Sequence, residues 1–360
     1  MALDHYVTLG RSGLRVSPFA LGAMTFGEDP GGAGCSVEES EKILATYLDR
    51  GGNFIDTANF YTNGHSEKIL GDWFAAHPGR RTHVVVASKF FTNLFPGDPN
   101  GGGAGRTSII AQLDETLRRL RTDHLDLYWL HNWDRHTPIE ETLRTLDELV
   151  RSGKIRYVGF SNTPAWVTAQ ANTTALLQGW TPLIALQVEY SLLARTVEGE
   201  IAPLALDQGM ALVPWSPLKN GFLSGKYRRD AQVTDSARTA FVGGPSEAEF
   251  TVIDAVATIA DELSTTSAAV SLAWLRARQG TVVPILGARR VDHLENNLAG
   301  LDVALTPAHL RTLDEVSAPT LNYPAPMHGA QRAMLQFAGT TVDGETSTIY
   351  PPLVQSDIRY

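Results

Sequence analysis

HLDLYWLHNWDRHTPIEETLRTLDELVRSGKIRYVGFSN, residues 124–162, contains one full repeat of the architecture. It opens on an apolar run, 124–131, and closes on another, 156–162. Between them lies a helical pattern, 139–153, entered at Pro138, where a proline suits the start of a helix. Apolar residues fall on both alternations of the two runs, as in parallel strands covered on both faces. The same strand–helix order extends in both directions. Runs at 19–26, 53–58 and 83–90 precede helical patterns at 37–50, 66–76 and 108–121, the last opening near Thr107. Runs at 156–162, 182–190 and 211–218 precede helical patterns at 164–178, starting on Pro164, at 199–209, and, after a long insert, at 250–263 with 268–278. A last pair follows at 282–288 and 292–300. Eight such units in roughly three hundred residues predict a closed (β/α)8 TIM barrel, which spans about 200 to 400 residues. The rival, a doubly wound open sheet, commonly carries G-x-G-x-x-G after its first strand. Here that strand ends in GAMTFG (22–27), so the barrel is preferred. YVTLGRSGLRVSP (6–18) reads as an N-terminal hairpin turning at Arg11-Ser12-Gly13 and capping the bottom of the barrel. Residues 306–317 read as a C-terminal helix, so 1–318 form the barrel and 319–360 an irregular tail packed on it.

Composition bounds the function. The chain has 360 residues, 43% apolar and 19% charged, which suits a globular protein with a large core. No apolar run reaches the roughly 20 residues of a membrane span, and the N-terminus lacks the apolar segment of a signal peptide. The single cysteine, Cys35, can close no internal disulfide, which fits a reducing compartment, and a cytoplasmic location is expected. A formal charge of −9 argues against nucleic acid as a partner. No membrane partner is expected, and a monomer is favoured over an oligomer.

In a (β/α)8 barrel the chemistry sits at the C-terminal ends of the strands. NFIDTANFY (53–61) ends its apolar run in Asp56 and places Tyr61 in the loop beyond. A carboxylate there needs a partner. Lys89 ends the third strand and His131 the fourth. These four make a coherent set. An ammonium beside a phenol favours the phenolate and lowers its pKa from ~10. Asp56 can hold the ammonium. A histidine beside the phenol can orient a carbonyl oxygen or take part in proton relay. The set is a proton donor aimed at a carbonyl, and no metal is called for.

These residues, with LGAMTFG (21–27), GHSE (64–67), ASKF (87–90), GFSN (159–162), QVEYSLL (187–193), PWSPL (214–218), LSGKY (223–227), ILGARR (285–290) and LENN (294–297), resemble the aldo-keto reductase family over residues ~6 to 318. The resemblance implies NADPH-dependent, reversible reduction of an aldehyde or ketone to an alcohol, with Asp56, Tyr61, Lys89 and His131 as catalytic tetrad. It also implies a nicotinamide cofactor across the barrel mouth, NADP(H) in preference to NAD(H), without a Rossmann motif. Ser161, Asn162 and Gln187 suit the amide of the nicotinamide, and Trp215 its ring. Ala23, Met24 and Asp56 line the same groove. Ser216, Pro217, Leu218, Gly221 and Lys226 would wrap the pyrophosphate, with Arg238 as a further donor. Gly287 and Arg289 open the last helix, where charge and free amides hold phosphate, so Arg289 reads as the 2′-phosphate contact. His293 stands where the family commonly has Gln or Arg, and Asn296 where it has Glu; Asn297 keeps the adenine contact. Met24, Phe60, Phe91 and Trp133 are candidates for the wall around a small carbonyl or alcohol substrate. A regulatory reading, after the related β subunits of potassium channels, is disfavoured because His131 is retained and little chain precedes the hairpin.

Overall fold

The computed structural model describes residues 2–28, 34–229 and 243–355. Eight parallel strands stand side by side in chain order: β1 (Ala20–Gly22), β2 (Phe54–Asp56), β3 (Val85–Phe90), β4 (Leu125–Leu130), β5 (Ile155–Ser161), β6 (Leu183–Glu189), β7 (Ala211–Trp215) and β8 (Ile285–Gly287). β8 pairs in register with β1. The β7–β8 seam is joined by a parallel bridge between Leu212 and Val282, with the Leu212 N–H donating to Thr281 O and the Val283 N–H to Leu212 O, both at 2.9 Å. The (β/α)8 barrel expected from the sequence is the observed fold.

The helices lie outside this ring. They are α1 (Val37–Asp49), α2 (His65–Ala76), α3 (Arg106–Leu120), α4 (Ile139–Arg151), α5 (Ala165–Gln178) and α6 (Ile201–Asp207), followed by α7 (Glu247–Glu262) and α8 (Ser267–Arg276) between β7 and β8, then α9 (Val291–Leu298) and α10 (Pro307–Val316). Their starts follow local chemistry. Pro138 and Pro164 stand at the N-caps of α4 and α5. Ser246 and Glu249 form a capping box on α7, satisfying amides that have no partner within the helix. α3 starts earlier than the sequence suggests, at Arg106 after Gly105, so Thr107 lies inside its first turn.

Two apolar layers result. The helices bury Leu44, Ile69, Leu113, Leu146 and Val256 against outward strand residues such as Leu21, Ile55, Val86, Leu130 and Phe160. Inside the ring, Ala20, Phe54, Val85, Ala87, Leu127, Trp129, Ala185, Val213 and Val283 pack with Leu9 and Val16 of the N-terminal hairpin (Val7–Thr8 with Arg15–Val16). The hairpin joins the residues that open the strands, and so closes the bottom of the barrel. Among the described residues no helix is long and apolar enough to cross a membrane.

The tail departs from the irregular segment expected. It forms α11 (Ala330–Phe337), a hairpin pairing Thr341–Val342 with Glu345–Thr346, and a short helix Pro351–Gln355. Ala333, Met334 and Phe337 carry a helical spacing over two turns, too brief to stand out from a proline-dotted sequence.

Candidate active site

Side chains alternate across a strand, so every second residue of a barrel strand points inward. Phe54 faces the inner core, and so does Asp56, two residues on. Val85 and Ala87 set the parity of Lys89, and Leu127 and Trp129 that of His131. Gly159 is followed on the same face by Ser161, Ala185 by Gln187, and Val213 by Trp215. The inner face is apolar at the bottom and turns polar in its last layer, on six neighbouring strands. At three of these strand ends the chain leaves in a left-handed conformation on a residue other than glycine: Phe91 (φ 124°), Asn162 (φ 48°) and Ser216 (φ 50°). Such strain concentrates where function fixes the backbone.

The last layer converges on Lys89. Its fully buried ammonium donates to Asp56 Oδ2 at 2.5 Å, to the Thr57 carbonyl at 2.8 Å and to the Tyr61 hydroxyl at 2.9 Å. An ammonium has three protons, and all three are engaged. The Tyr61 oxygen accepts one of them, which leaves its own proton free to donate elsewhere. Asp56 Oδ1 accepts from Gln187 Nε2 at 2.9 Å, so the carboxylate is held on both oxygens. Gln187, read from the sequence as an amide-binding residue, is thus part of the ionic cluster.

Burial penalises the ammonium of Lys89, but the Asp56 charge, Tyr61 and their hydrogen bonds outweigh it, and the pKa rises. For Tyr61 the outcome differs from the sequence expectation. Burial of the phenol is the largest influence and pushes its pKa up; Lys89 pulls it down, as expected, without reversing the direction. Part of the Tyr61 side chain remains open to solvent. The pKa of His131 falls to about 3, first through burial and then through the Lys89 charge, so the ring is neutral at ordinary pH. Its Nδ1 is buried with no partner among the described residues.

Aromatic rings surround the pair. Phe60 lies 5.1 Å from Tyr61 and 5.3 Å from His131 between ring centroids, and Tyr61 stands edge-on to His131 at 6.0 Å. Met24 and Phe60 are exposed at the mouth. Trp133 meets Trp166, on α5, edge-to-face at 5.6 Å. Phe91 instead leans partly into the layer between strands and helices, its N–H held by Gln112 Oε1 at 3.0 Å.

The remaining candidates fall in two groups. At the ends of β5 to β7, Ser161 Oγ is buried without a partner among the described residues. Asn162 donates to the His131 carbonyl at 3.0 Å and accepts from Trp215 Nε1 at 3.1 Å, joining the ends of β4, β5 and β7. Ser216 Oγ accepts from the Asn220 N–H at 3.0 Å within a loop that includes Pro217, Leu218 and Gly221. At β8 and α9, Asn297 donates to the Gly287 carbonyl at 3.2 Å, while Asn296 is exposed. Burial lowers the pKa of His293, and the charges of Arg290, Lys226 and Arg289 lower it further, so these cations share one neighbourhood. Ala23 is buried, and its N–H donates to the Asp56 carbonyl at 2.8 Å. Arg238 lies outside the described residues.

Sequence reasoning passed over Trp166, Gln112 and Lys219. Lys219 pairs with Glu189 at 2.6 Å between the end of β6 and the β7 loop. Glu189 lies inside a quoted motif and Lys219 directly follows another, but a loop lysine reads as a solvated charge until its partner is known.

Residues 18–318 match the model of the Aldo/keto reductase family. A putative aryl-alcohol dehydrogenase of Saccharomyces cerevisiae is 34% identical, over 90% of this chain and 89% of its own length. An aryl-alcohol dehydrogenase [NADP(+)] of Phanerodontia chrysosporium is 34% identical over 88% and 86%, and a norsolorinic acid reductase of Aspergillus flavus 32% identical over 89% and 82%.

Proposed function

The chain belongs to the aldo/keto reductase family and is an oxidoreductase, and from that premise we propose that it reversibly reduces an aryl aldehyde or ketone to the alcohol with NADP(H), Tyr61 supplying the proton. The observation that carries this reading is the Lys89–Tyr61 contact, which fills the acceptor side of the phenol and leaves its proton free.

The residues present fit the cofactor. Ser161 Oγ is an unpartnered, buried polar atom of the kind that a carboxamide would satisfy. Trp215 offers a ring face beside it, steadied by Asn162. Lys226 and Arg289 both act on His293 from one neighbourhood, where Arg290 is already paired with Asp292, and these two cations suit a nucleotide phosphate, which supports NADP(H) over NAD(H). When bound, the cofactor supplies the hydride that ends on the carbonyl carbon.

The chain's own groups do the rest. Neutral His131 orients the carbonyl oxygen. Tyr61 donates its proton to that oxygen as it gains charge. Lys89 stabilises the resulting phenolate, which recovers a proton from water, and Asp56 keeps Lys89 charged while passing no proton to substrate. Phe60, Met24 and the Trp133–Trp166 pair form an apolar rim suited to an aryl group, in keeping with the names of the relatives.

The test is NADPH consumption against a panel of aryl and alkyl aldehydes and ketones. General acid catalysis contributes about 10²–10⁴-fold, so Tyr61→Phe should lower kcat by that factor while leaving NADPH affinity intact. Near-native turnover by the variant would exclude Tyr61 as the donor.

A further inference from the structure

A second ionic cluster lies behind the barrel wall, outside the groups described above. Glu67, in the first turn of α2, is fully buried. One of its oxygens accepts from Ser88 Oγ at 2.5 Å, and the other from Arg119 Nε, on α3, at 2.6 Å. Ser88 is the β3 residue next to Lys89 and points the opposite way, into the layer of helices. Arg119 runs beneath the turn that carries Tyr61: a Cβ built on Gly64 would lie 3.0 Å from Arg119 Cδ. That turn is strained, with Thr62 (φ 49°), Asn63 (φ 55°) and Gly64 (φ 85°) in succession in the left-handed region. Its other side is held by Thr62 Oγ1 donating to the Phe26 carbonyl at 2.8 Å. A run of left-handed residues keeps its shape only where its surroundings determine it. Glu67 therefore reaches both halves of the proton-donating contact, Lys89 through Ser88 and Tyr61 through Arg119 and Gly64.

We propose that Glu67 and Arg119 are a positioning pair that fixes the Tyr61 turn against β3 and so sets the 2.9 Å contact of hydroxyl and ammonium. This rests on the reading of Tyr61 as proton donor. Neither residue touches the reacting atoms. A carboxylate and a guanidinium suit the task because a charge-assisted hydrogen bond to a buried carboxylate is short and strong.

The test uses Glu67→Gln, Arg119→Lys and Gly64→Ala in the full chain. Glu67→Gln keeps an acceptor for Ser88 and removes the charge, while Arg119 can still turn to Glu115, 3.6 Å from Nη1. Four quantities are read: kcat and KM with an aryl aldehyde, the urea midpoint, and the phenolate absorbance titration of each variant minus that of its Tyr61→Phe counterpart. The expected result is a fall in kcat of about ten- to a hundredfold, the scale of a small misplacement of a reacting group, with KM changed less than about twofold. The Tyr61 titration should move upward, because distance from Lys89 removes the influence that lowers it. Lower urea midpoints with native kcat and an unmoved titration would overturn the proposal and leave the pair a structural brace. If Glu67→Gln does not fold, Arg119→Lys and Gly64→Ala decide on the same readouts. Full turnover by Tyr61→Phe alone would sink the donor reading, whereas the titration judges the positioning pair independently.

Discussion

Burial moves the pKa values of Tyr61 and His131 in opposite directions, with the same consequence for charge. It disfavours the phenolate, so the Tyr61 pKa rises; it disfavours the imidazolium, so the His131 pKa falls to about 3. Both groups are then held in the neutral form over the pH range where most enzymes work. For the proposed reduction this predicts a pH–kcat profile without a histidine inflection between about pH 5 and 8, and a basic limb at or above ~10, the ordinary phenol value. His131→Asn should leave the shape of that profile unchanged even where it lowers the rate. A limb near pH 6.5 in the native protein that vanishes in the variant would show His131 to be a titrating participant. The same shift enters stability. An unfolded chain binds a proton at His131 below about pH 6.5, whereas the folded one resists protonation down to about 3, so stability is lost as pH falls through that interval. Tyr61 runs the other way: its raised pKa favours the fold below ~10, and that contribution disappears as pH rises past the folded value.

Elements translate these residues into geometry through strand parity, and one glycine shows how tightly. Gly159 faces the barrel interior opposite Trp129, and a Cβ there would lie 2.2 Å from the indole and 2.9 Å from the Ala185 carbonyl oxygen. Gly159→Ala should therefore destabilise by about 3 kcal/mol, the upper range for overpacking a core, read as a lower urea midpoint. Trp129 Nε1 has no hydrogen-bond partner among the described residues, so Trp129→Leu sacrifices packing and no bond. The double variant should be more stable than the sum of the single effects predicts, because each change removes the other's clash or cavity. Strict additivity would mean that the two positions do not share this space. Parity also explains what the sequence revealed. Phe54 and Asp56, or Leu127, Trp129 and His131, are pairs and triples of one period-two series, so the strand ends and their polar residues could be read from residue types alone. Lys219–Glu189, Glu67–Arg119 and the engagement of Gln187 with Asp56 could not, because each joins residues that pattern and spacing do not connect. The direction of the Tyr61 shift also depends on how deeply the phenol is enclosed, which periodicity does not encode.

At the scale of the molecule, the question is what the tail adds to the ring. α10 is anchored by the buried Arg195, from the connection after β6, which donates to the Asp314 carbonyl at 2.9 Å and to Ser317 Oγ at 2.7 Å and pairs with Glu198 at 2.8 Å. All of these anchors precede residue 319. Beyond them, Leu321 and Ala325 pack at Gly199, on the same connection, which leaves the end of β6 that carries Gln187. The tail thus begins on the functional face. Its later elements bury little beyond Ala333: Val354 is 64% exposed, with Leu335 and Leu353 also exposed. Stability follows buried apolar area, so a chain ending at residue 318 should unfold cooperatively with a urea midpoint close to that of the full chain. It should also keep turnover that depends on Tyr61, since the hydrogen bonds of that cluster run among Asp56, Thr57, Tyr61, Lys89 and Gln187, and none reaches a described residue of the tail. What should change is KM for aryl aldehydes, upward by about two- to tenfold, the scale of one or two lost apolar contacts, because the segment seated beside the β6 connection is gone. Parallel measurement of kcat separates the outcomes. An unchanged kcat with raised KM places the tail at the substrate's edge of the barrel mouth. A collapse of both, with loss of cooperative unfolding, would make residues 319–360 part of the fold itself and remove the boundary drawn at 318.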